Sequence, residues 1–364
     1  MKKYIYIILF MIFFSCNKPV VENTVNHCML ISNLEDSLLS LKQIVSEIKM
    51  IPLKETDDFL IGTIRKIKKT KTEYFILDDT HTKSLFCFDE AGIPLSKFCH
   101  IGNGPDEYIE LLDFDINETK KEVAILSYPR NLYIVDWELK TIKKKIQLDQ
   151  AFKRLVYKDN NLLLYDHSNE TLVELNLFNE HFSTFFSWHK LKGHYLFPPQ
   201  YVFYNVHNKL FFHSPGNDSV YVIKQNECLP YIALDFDHKE NTYDLYKSHY
   251  NYELPIEKRL QYPLPRIHSF FYVGDQLLFS YTLGIFIFTN IPNLQNPFNR
   301  TNVCFTPALS DVTPYGNNTL LGWCNGSDIK DYKNIPIQMG NQNPYQDESI
   351  ILLEYKLKNS FDEN

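Results

Sequence analysis

Side chains that could bind a cation alternate along one short segment of the chain. Asp113, Asp115, Asn117 and Thr119 are spaced like the first ligands of a calcium-binding loop. An EF-hand loop also requires glycine at its sixth position and glutamate at its twelfth, and this segment has neither. The run Asp-Phe-Asp-Ile fits a strand with alternating faces that leads into a turn. We therefore predict no metal here, and no cofactor for the chain as a whole.

Two closely spaced glycines precede Pro105, and glycines in this arrangement can cradle a phosphate group. A dinucleotide-binding fingerprint needs a third glycine and a following helix, and the sequence after Pro105 supplies neither. Proline also lacks the backbone N–H that would donate to a phosphate. We predict a loop between two units of the fold, in which Gly102 and Gly104 supply positive φ angles.

Residues that could act as nucleophiles, bases or zinc ligands form no complete catalytic motif. The chain has twelve histidines, including His181, His189 and His194, but no HExxH pair. The GxSxG elbow of serine hydrolases is absent as well. Acidic residues are numerous enough to include a facing pair of the kind that glycosidases use, but the sequence does not locate one. No catalytic residue is predicted. The sequence leaves enzymatic activity open but favours a protein without it.

Tyrosines dominate two segments that fit no regular strand pattern. Tyr243, Tyr246 and Tyr250 recur every three or four positions, as on one face of a short helix, before several prolines end the pattern. Tyr332 and Tyr345 lie in a second irregular segment. Aromatic surfaces at the rim of a fold can bind a ligand, so these five tyrosines are the candidate ligand-binding residues. The alternative is that the first segment only packs its aromatic face against the protein.

Composition favours β structure and argues against nucleic acid as a partner. The chain has 364 residues, of which 15% are aromatic, and Tyr and Phe suit half-buried sheets better than helix interiors. The formal charge is −7, and the basic residues do not cluster into the stripe that nucleic-acid binding requires. The length allows either several domains or one large closed architecture.

The N-terminus has the layout of a bacterial lipoprotein signal. Two lysines precede an apolar run of the length found in secretory signal peptides, too short to span a membrane. The run ends at Ser15-Cys16, similar to a lipobox, in which the cysteine becomes the acylated first residue of the mature protein. We predict a signal peptide over residues 1–15, a lipid-anchored linker over 16–43 and a bilayer contact through Cys16. Loss of the signal peptide changes the formal charge to −9, and no acidic run follows Cys16, which favours a periplasm-facing outer membrane location.

A strand–turn–strand unit recurs along the rest of the chain. Equivalent residues are spaced by 48, 40, 47, 67 and 43 positions, close to the repeat of a four-stranded propeller blade. These equivalents are Phe75, Val123, Leu163, Leu210, Leu277 and Leu320. The long spacing indicates an insertion at about 236–265. The predicted fold is therefore all-β, a six-bladed β-propeller over residues 44–358 with a short helical or loop insertion between blades 4 and 5, and a tail over 359–364.

Closure of the ring follows from the cost of open sheet edges. The segments 44–53 and 349–357 both read as strands, and the two could share one blade. A strand over residues 60–67 is expected to precede the first repeat. Two stacked β-sandwiches are the alternative, but they do not explain the even spacing.

Six cysteines lie beyond Cys16, namely Cys28, Cys87, Cys99, Cys228, Cys304 and Cys324. An exported protein can form disulfides, but no metal-ligand spacing appears and a domain of this size folds without them. We expect mostly free, buried thiols, with Cys87 and Cys99 as the one candidate pair.

The segments IGNGPDEY, at 101–108, and LDFDI, at 112–116, resemble the signature of six-bladed β-propeller lipoproteins of gut-type Gram-negative anaerobes. That family is similar in general plan to NHL and TolB-like propellers, and its molecular activity is largely unassigned. The resemblance covers about residues 45–358 and implies a fold and a location rather than a reaction. The motif residues, for which it implies a structural role, are Gly102, Gly104, Pro105, Glu107, Tyr108, Asp113 and Asp115.

These observations predict a membrane-anchored, exported propeller that binds a glycan, a peptide or an envelope protein at one face of the ring. One alternative is a hydrolase or lyase with acidic residues in the central funnel, since propellers host many chemistries. Another is a structural scaffold in an envelope complex.

Overall fold

A computed structural model shows an all-β protein. Within the part of the chain that it describes, the only helix is a short 3-10 helix, Gly326–Tyr332. The described residues are 28–30, 38–39, 45–166, 168–169, 171–187, 201–206, 209–213, 219–235, 267–273, 276–281, 285–290, 301–304, 312–332, 336–339 and 349–358.

Three strands come first in the chain: β1 (Cys28–Leu30), β2 (Leu38–Leu39) and β3 (Val45–Pro52). Five antiparallel meanders of four consecutive strands follow. The first is β4 (Lys66–Lys69), β5 (Glu73–Asp78), β6 (Ser84–Asp89) and β7 (Pro94–Phe98). The second is β8 (Glu110–Asn117), β9 (Glu122–Tyr128), β10 (Asn131–Asp136) and β11 (Ile142–Gln147). The third is β12 (Arg154–Lys158), β13 (Asn161–Asp166), β14 (Thr171–Asn176) and β15 (His181–Ser187).

The last two meanders have the same plan. The fourth is β16 (Phe203–Val206), β17 (Lys209–His213), β18 (Ser219–Lys224) and β19 (Glu227–Asp235). The fifth is β20 (Ile267–Val273), β21 (Gln276–Tyr281), β22 (Ile285–Asn290) and β23 (Thr301–Cys304). First strands of different meanders contact one another, as β8 does with β12 and β16 with β20, so the sheets are arranged radially as in a β-propeller.

A composite sheet joins the two ends of the chain. Its C-terminal strands are β24 (Thr313–Tyr315), β25 (Thr319–Asn325), β26 (Ile337–Met339) and β27 (Ile350–Leu357). The order across the sheet is β24-β25-β27-β3-β26, with β3 antiparallel to β27 and parallel to β26. The prediction that N-terminal and C-terminal strands share a sheet is confirmed.

The number of regular blades differs from the prediction. Five blades are meanders of consecutive strands, not the six that the repeat predicts, because the remaining sheet is assembled from both chain ends. The repeat itself is real: the six equivalent residues all lie in the second strand of a sheet, from Phe75 in β5 to Leu320 in β25. The insertion predicted at 236–265 falls between β19 and β20, and its residues, with the helix predicted there, lie outside the described residues.

Strands in the middle of each sheet are apolar because neighbouring sheets cover both of their faces. Residues 74–78 of β5 and 123–127 of β9 are buried without interruption. One hydrophobic cluster, with Phe75, Phe114 and Tyr133 among its members, fills the space between the first and second sheets. Continuous apolar runs, rather than alternation, are what such two-sided burial requires.

The prediction of a strand over residues 60–67 is wrong except at Lys66 and Ile67, which begin β4. Gly62 and Thr63 donate their backbone N–H groups to the Asp78 carboxylate, at 2.8 and 3.3 Å, which holds this stretch as a loop. Burial alone would raise the pKa of Asp78, but the hydrogen bonds from backbone amides outweigh it and lower the pKa. The first regular strand therefore begins only at Lys66.

Candidate functional site

Asp113 lies at the centre of the ring and joins three neighbouring sheets. One carboxylate oxygen accepts a hydrogen bond from Lys66 Nζ on β4 at 2.6 Å, and the other accepts from the backbone N of Leu155 on β12 at 2.8 Å. Lys66 also donates to the carbonyl of Phe114, at 2.8 Å. Both ions are buried, with side-chain exposures of 7% and 2%. Burial lowers the pKa of Lys66, and the negative charge of Asp113 opposes that change.

Asp115 repeats this arrangement two residues further along β8. Its carboxylate pairs with Lys68 on β4 and accepts a hydrogen bond of 2.7 Å from the backbone N of Tyr157 on β12. Because the partners advance by two residues on all three strands, β4, β8 and β12 run in the same direction. A calcium ion does not fit here, because lysines and backbone amides already occupy the carboxylate oxygens that it would need.

Large side chains also fill the centre of the ring. Tyr201, just before β16, accepts a hydrogen bond through its hydroxyl oxygen from the backbone N of Ile67 at 3.3 Å. Arg154 is buried and donates to the carbonyls of Leu112 and Lys153, at 3.1 and 2.6 Å. Burial lowers the pKa of Arg154. Ion pairs and the side chains of Arg154 and Tyr201 thus lie at the described part of the centre of the ring.

The glycine-rich motif forms a loop between the first and second meanders, as predicted, and it wraps around Glu107. The backbone N of Gly104 donates to Glu107 Oε2 at 2.6 Å. A Cβ atom added at Gly102 would lie 2.0 Å from the same oxygen, and one at Gly104 would lie 3.0 Å from it. The expected positive φ is found at Gly102, at 159°, but not at Gly104, and the short distances to Glu107 show that both glycines are also needed for space. Pro105 is exposed on this loop.

Tyr108 closes the motif as a buried anchor. Its hydroxyl donates to the carbonyl of Lys83 at 2.8 Å, and its ring stacks on Phe98 with centroids 5.7 Å apart. Burial raises its pKa, so the hydroxyl stays protonated and acts as a donor. Tyr133 of the second meander donates to the carbonyl of Glu107 at 2.9 Å. The motif therefore holds two adjacent sheets together, which is the structural role that the resemblance implies.

One side of the ring, termed the loop face, is the side on which β4, β8 and β12 begin. It carries the connection 99–109 between meanders and the hairpin turn at residues 129–130. Exposed apolar residues lie there side by side: Ile101, Ile109 and Tyr128 are 50%, 39% and 48% exposed. The backbone N of Ile109 donates to the carbonyl of Tyr128 at 3.1 Å, and Ile101 forms a bridge with Tyr108. These three residues were not predicted to form a surface, because their exposure cannot be read from their positions in the sequence.

The insertion between β19 and β20 also leaves from the loop face. Tyr201 contacts the start of β4, so β16 begins on this face as β4 does. Four antiparallel strands return the chain to the side where it started, and β19 therefore ends there at Asp235. Tyr243, Tyr246 and Tyr250 follow in the sequence and lie outside the described residues.

The second irregular segment leaves from the same face. Tyr315, the last residue of β24, donates to the carbonyl of Thr70 just after β4, so β24 ends on the opposite side and β25 ends on the loop face. The backbone N of Gly326 donates to the carbonyl of Ser349 at 2.8 Å, which closes the base of the segment. Tyr332 ends the 3-10 helix. Tyr345 and the predicted lipidation site Cys16 lie outside the described residues.

Four cysteines are shown as free thiols. Cys87, Cys228 and Cys324 are buried, whereas Cys99 is exposed. Burial raises the pKa of Cys87 to about 12. The hypothesis of a disulfide between Cys87 and Cys99 is therefore wrong.

Neither a metal-binding cluster nor a membrane-spanning helix is present among the described residues. No group of three or more His, Cys, Asp or Glu side chains there could hold a metal ion. None of the helices described has the length and apolar character needed to cross a membrane.

Comparison with solved structures supports the fold. A crystal structure of an inferred exported protein from Bacteroides fragilis is 15% identical, with a TM-score of 0.70 over 91% of this chain and 100% of that one. The Neurospora crassa Pan2 WD40 domain is 10% identical over 82% of this chain and 77% of that one, with a TM-score of 0.44. The RRP9 WD40 repeats are 11% identical over 85% and 97%, with a TM-score of 0.48. No curated protein matches the sequence.

The likeness to the Bacteroides fragilis protein is below 25% identity and therefore supports the fold alone. The sequence itself matches a family model over residues 28–359, a span that begins at β1 and ends just after β27. It takes in every strand described above. The chain belongs to the family described as Domain of unknown function (DUF4934).

Proposed function

We propose that this chain is an exported, lipid-anchored β-propeller that binds a partner on its loop face and carries out no catalysis. The observation that carries the proposal is topological. The exposed apolar residues Ile101, Ile109 and Tyr128 lie on that face, and both tyrosine-rich segments leave from it. Connecting loops on a rigid scaffold are where binding residues concentrate. The partner classes that fit are a glycan, a peptide or an envelope protein.

The centre of the ring supports binding rather than hydrolysis. A funnel hydrolase would use carboxylates on the first strands, and Asp113 and Asp115 are the buried acidic residues of that strand in the second sheet. Both accept hydrogen bonds from a lysine and a backbone amide, so neither has the freedom that a general acid or base needs. Turnover of an envelope polysaccharide or a peptide by the purified protein would refute the non-catalytic proposal.

Export and anchoring rest on the N-terminal sequence and on one likeness. The basic start, the apolar run and Ser15-Cys16 are typical of a lipoprotein signal. The Bacteroides fragilis protein of similar fold is itself inferred to be exported. Eleven residues separate Cys16 from β1, so an acyl anchor would hold the ring within about 40 Å of the bilayer. The location that fits is the periplasmic side of the outer membrane.

The anchor is tested by replacing Cys16 with alanine and fractionating the cells. We expect the Cys16→Ala protein to leave the membrane fraction and to lose incorporation of labelled palmitate. The matched control is Cys99→Ala, which removes an exposed thiol of the folded ring and should change neither result. Retention of Cys16→Ala in the membrane would contradict lipid anchoring.

The binding face is tested by site-specific photocrosslinking in growing cells. A benzophenone amino acid placed at Tyr128 should yield a discrete adduct with the partner. The matched control position is Phe178, which is 97% exposed in the β14–β15 turn on the opposite face of the ring. Adducts that form at Phe178 and not at Tyr128 would refute the loop face as the binding surface.

A further inference from the structure

The six sheets differ in whether an additional strand lies along their outer edge. In three sheets an additional strand lies parallel along the outermost strand: β1 on β19, β2 on β23 and β26 on β3. In the other three sheets β7, β11 and β15 are the outermost strands among the described residues. An uncovered edge presents unpaired backbone N–H and C=O groups, which can pair with another chain.

Two of these three edges, which no other described strand covers, carry residues that prevent such pairing. Strand β7 has the sequence PLSKF, and its proline removes a backbone donor while Lys97 adds a charge. Strand β11 has the sequence IKKKIQ, with Lys143, Lys144 and Lys145 in succession. Lysines on an edge strand are a common means of preventing edge-to-edge association.

The third uncovered edge, β15, has neither protection. Its sequence is HFSTFFS, without lysine, glutamate, aspartate or proline. Ser183 and Thr184 in its middle are exposed, whereas Phe185 and Phe186 turn inwards and pack against the fourth sheet. A bulge against the inner neighbour occurs in all three uncovered strands, so it does not set β15 apart.

We propose that β15 pairs antiparallel with β15 of a second copy of this chain. Antiparallel pairing of one strand with its own copy satisfies two-fold symmetry, in which the same surface meets itself. About an axis near Thr184, residues with uncharged side chains face each other along the whole strand. The same operation at β11 would place lysines opposite lysines, and like charges directly opposite destabilise a strand pair.

The expected dimer is weak in dilute solution. Stable protein interfaces bury about 1,200–2,000 Å² in total, and one strand pair of this length contributes only part of that area. A common surface raises the effective concentration of two partners, so copies confined to a membrane would pair more readily than free ones. That enhancement rests on the proposed lipid anchor, whereas the pairing of β15 does not.

The proposal is tested on the full chain carrying Cys16→Ala and Cys99→Ala, which removes the proposed lipid attachment site and the thiol that is exposed among the four cysteines described. Single cysteines are introduced at Ser183 or Thr184 in β15, and Lys145→Cys in β11 is the matched control, because Lys145 is exposed whereas Lys144 binds Glu180 and the Leu177 carbonyl. We expect oxidation to give a disulfide-linked dimer several-fold more abundant for a β15 cysteine than for Lys145→Cys. Analytical ultracentrifugation of the parent over a concentration series should show a reversible monomer–dimer equilibrium.

A third variant is designed to prevent the pairing of β15 instead of trapping it. Thr184→Lys introduces the charge that β11 already has, and it should abolish the dimer while thermal unfolding of the monomer stays unchanged. A monomer at every concentration, together with equal cross-linking of the β15 and β11 cysteines, would overturn the proposal. That result would indicate that another segment of the same chain covers the edge. Because the chain tested carries no lipid, failure here would leave the loop-face and anchor proposals intact.

Discussion

Removal of the Asp113 charge should destabilise the ring more than any change to a surface ion pair. In Asp113→Asn the amide oxygen can still accept from the Leu155 backbone N, but the amide group meets the Lys66 ammonium instead of a carboxylate. The lysine then keeps only the Phe114 carbonyl, at 2.8 Å, and the face of the Phe114 ring, at 5.4 Å. Its charge is left in the interior without a directly paired counterion, because Asp115, whose charge also acts on Lys66, is paired with Lys68.

The size of the effect follows from burial. With 7% and 2% side-chain exposure, the pair belongs with buried ion pairs, for which removal of one partner costs about 3–5 kcal/mol. For a chain of this size each kcal/mol lowers the melting temperature by about 2 °C, so we expect a decrease of about 6–10 °C. Replacing both partners, as Lys66→Met with Asp113→Asn, should recover part of this loss because no unpaired charge is left behind.

A double-mutant cycle, with unfolding followed by circular dichroism in urea, measures the coupling between the two side chains. We expect a coupling of about 2 kcal/mol or more for Lys66 and Asp113. The matched control is Lys143 with Glu122, an ion pair of 3.3 Å whose side chains are 40% and 21% exposed. It should give a coupling below about 1 kcal/mol. Equal coupling in the two cycles, or loss of under about 1 kcal/mol in Asp113→Asn, would refute burial as the source of the effect.

Three further outcomes are expected. Gly102→Ala should lower the melting temperature because its Cβ would meet the Glu107 carboxylate, and Glu107→Ala in the same chain should restore part of the loss; no restoration would contradict the steric explanation. The folded pKa of Asp78 lies below its ordinary value, so its contribution to stability is present at neutral pH and is lost as the pH falls below about 4. Asp78→Asn should therefore flatten urea-unfolding stability between pH 6 and pH 3, and an unchanged slope would count against it. Maleimide should label Cys99 rapidly and Cys87 only after unfolding, as mass spectrometry of the native protein can show.

The sequence predicted the middle strands of the sheets well. Strands such as β5 and β9 are covered on both faces, and that burial demands an apolar run which the repeat displays six times. Short added strands escaped prediction: β1 and β2 have three and two residues, too few to show any periodicity. The loop at Gly62 was not predicted for a different reason: the carboxylate that holds it belongs to Asp78, sixteen residues away in the sequence.

The central ion pairs were missed as pairs, although their pattern is present in the sequence. Lys66 and Lys68 alternate at the spacing of Asp113 and Asp115, which is the register that two parallel strands require. The signal is not readable from one strand, since the partners are 47 residues apart and belong to different sheets. The acidic alternation was therefore interpreted only as a strand with two faces, and the cations that it binds are side chains of the neighbouring sheet.

The even number of strands in each meander determines where this fold can acquire a binding surface. A meander of four antiparallel strands returns the chain to its starting side, so the connections between meanders that we traced emerge on the loop face. An insertion there disturbs neither the stacked sheets nor the lysine–aspartate pairs that fix their spacing. Residues 236–266 and 326–349 are both attached at this face. The ion pairs at the centre of the ring hold the sheets together, and the loop face is therefore where we propose that a partner binds.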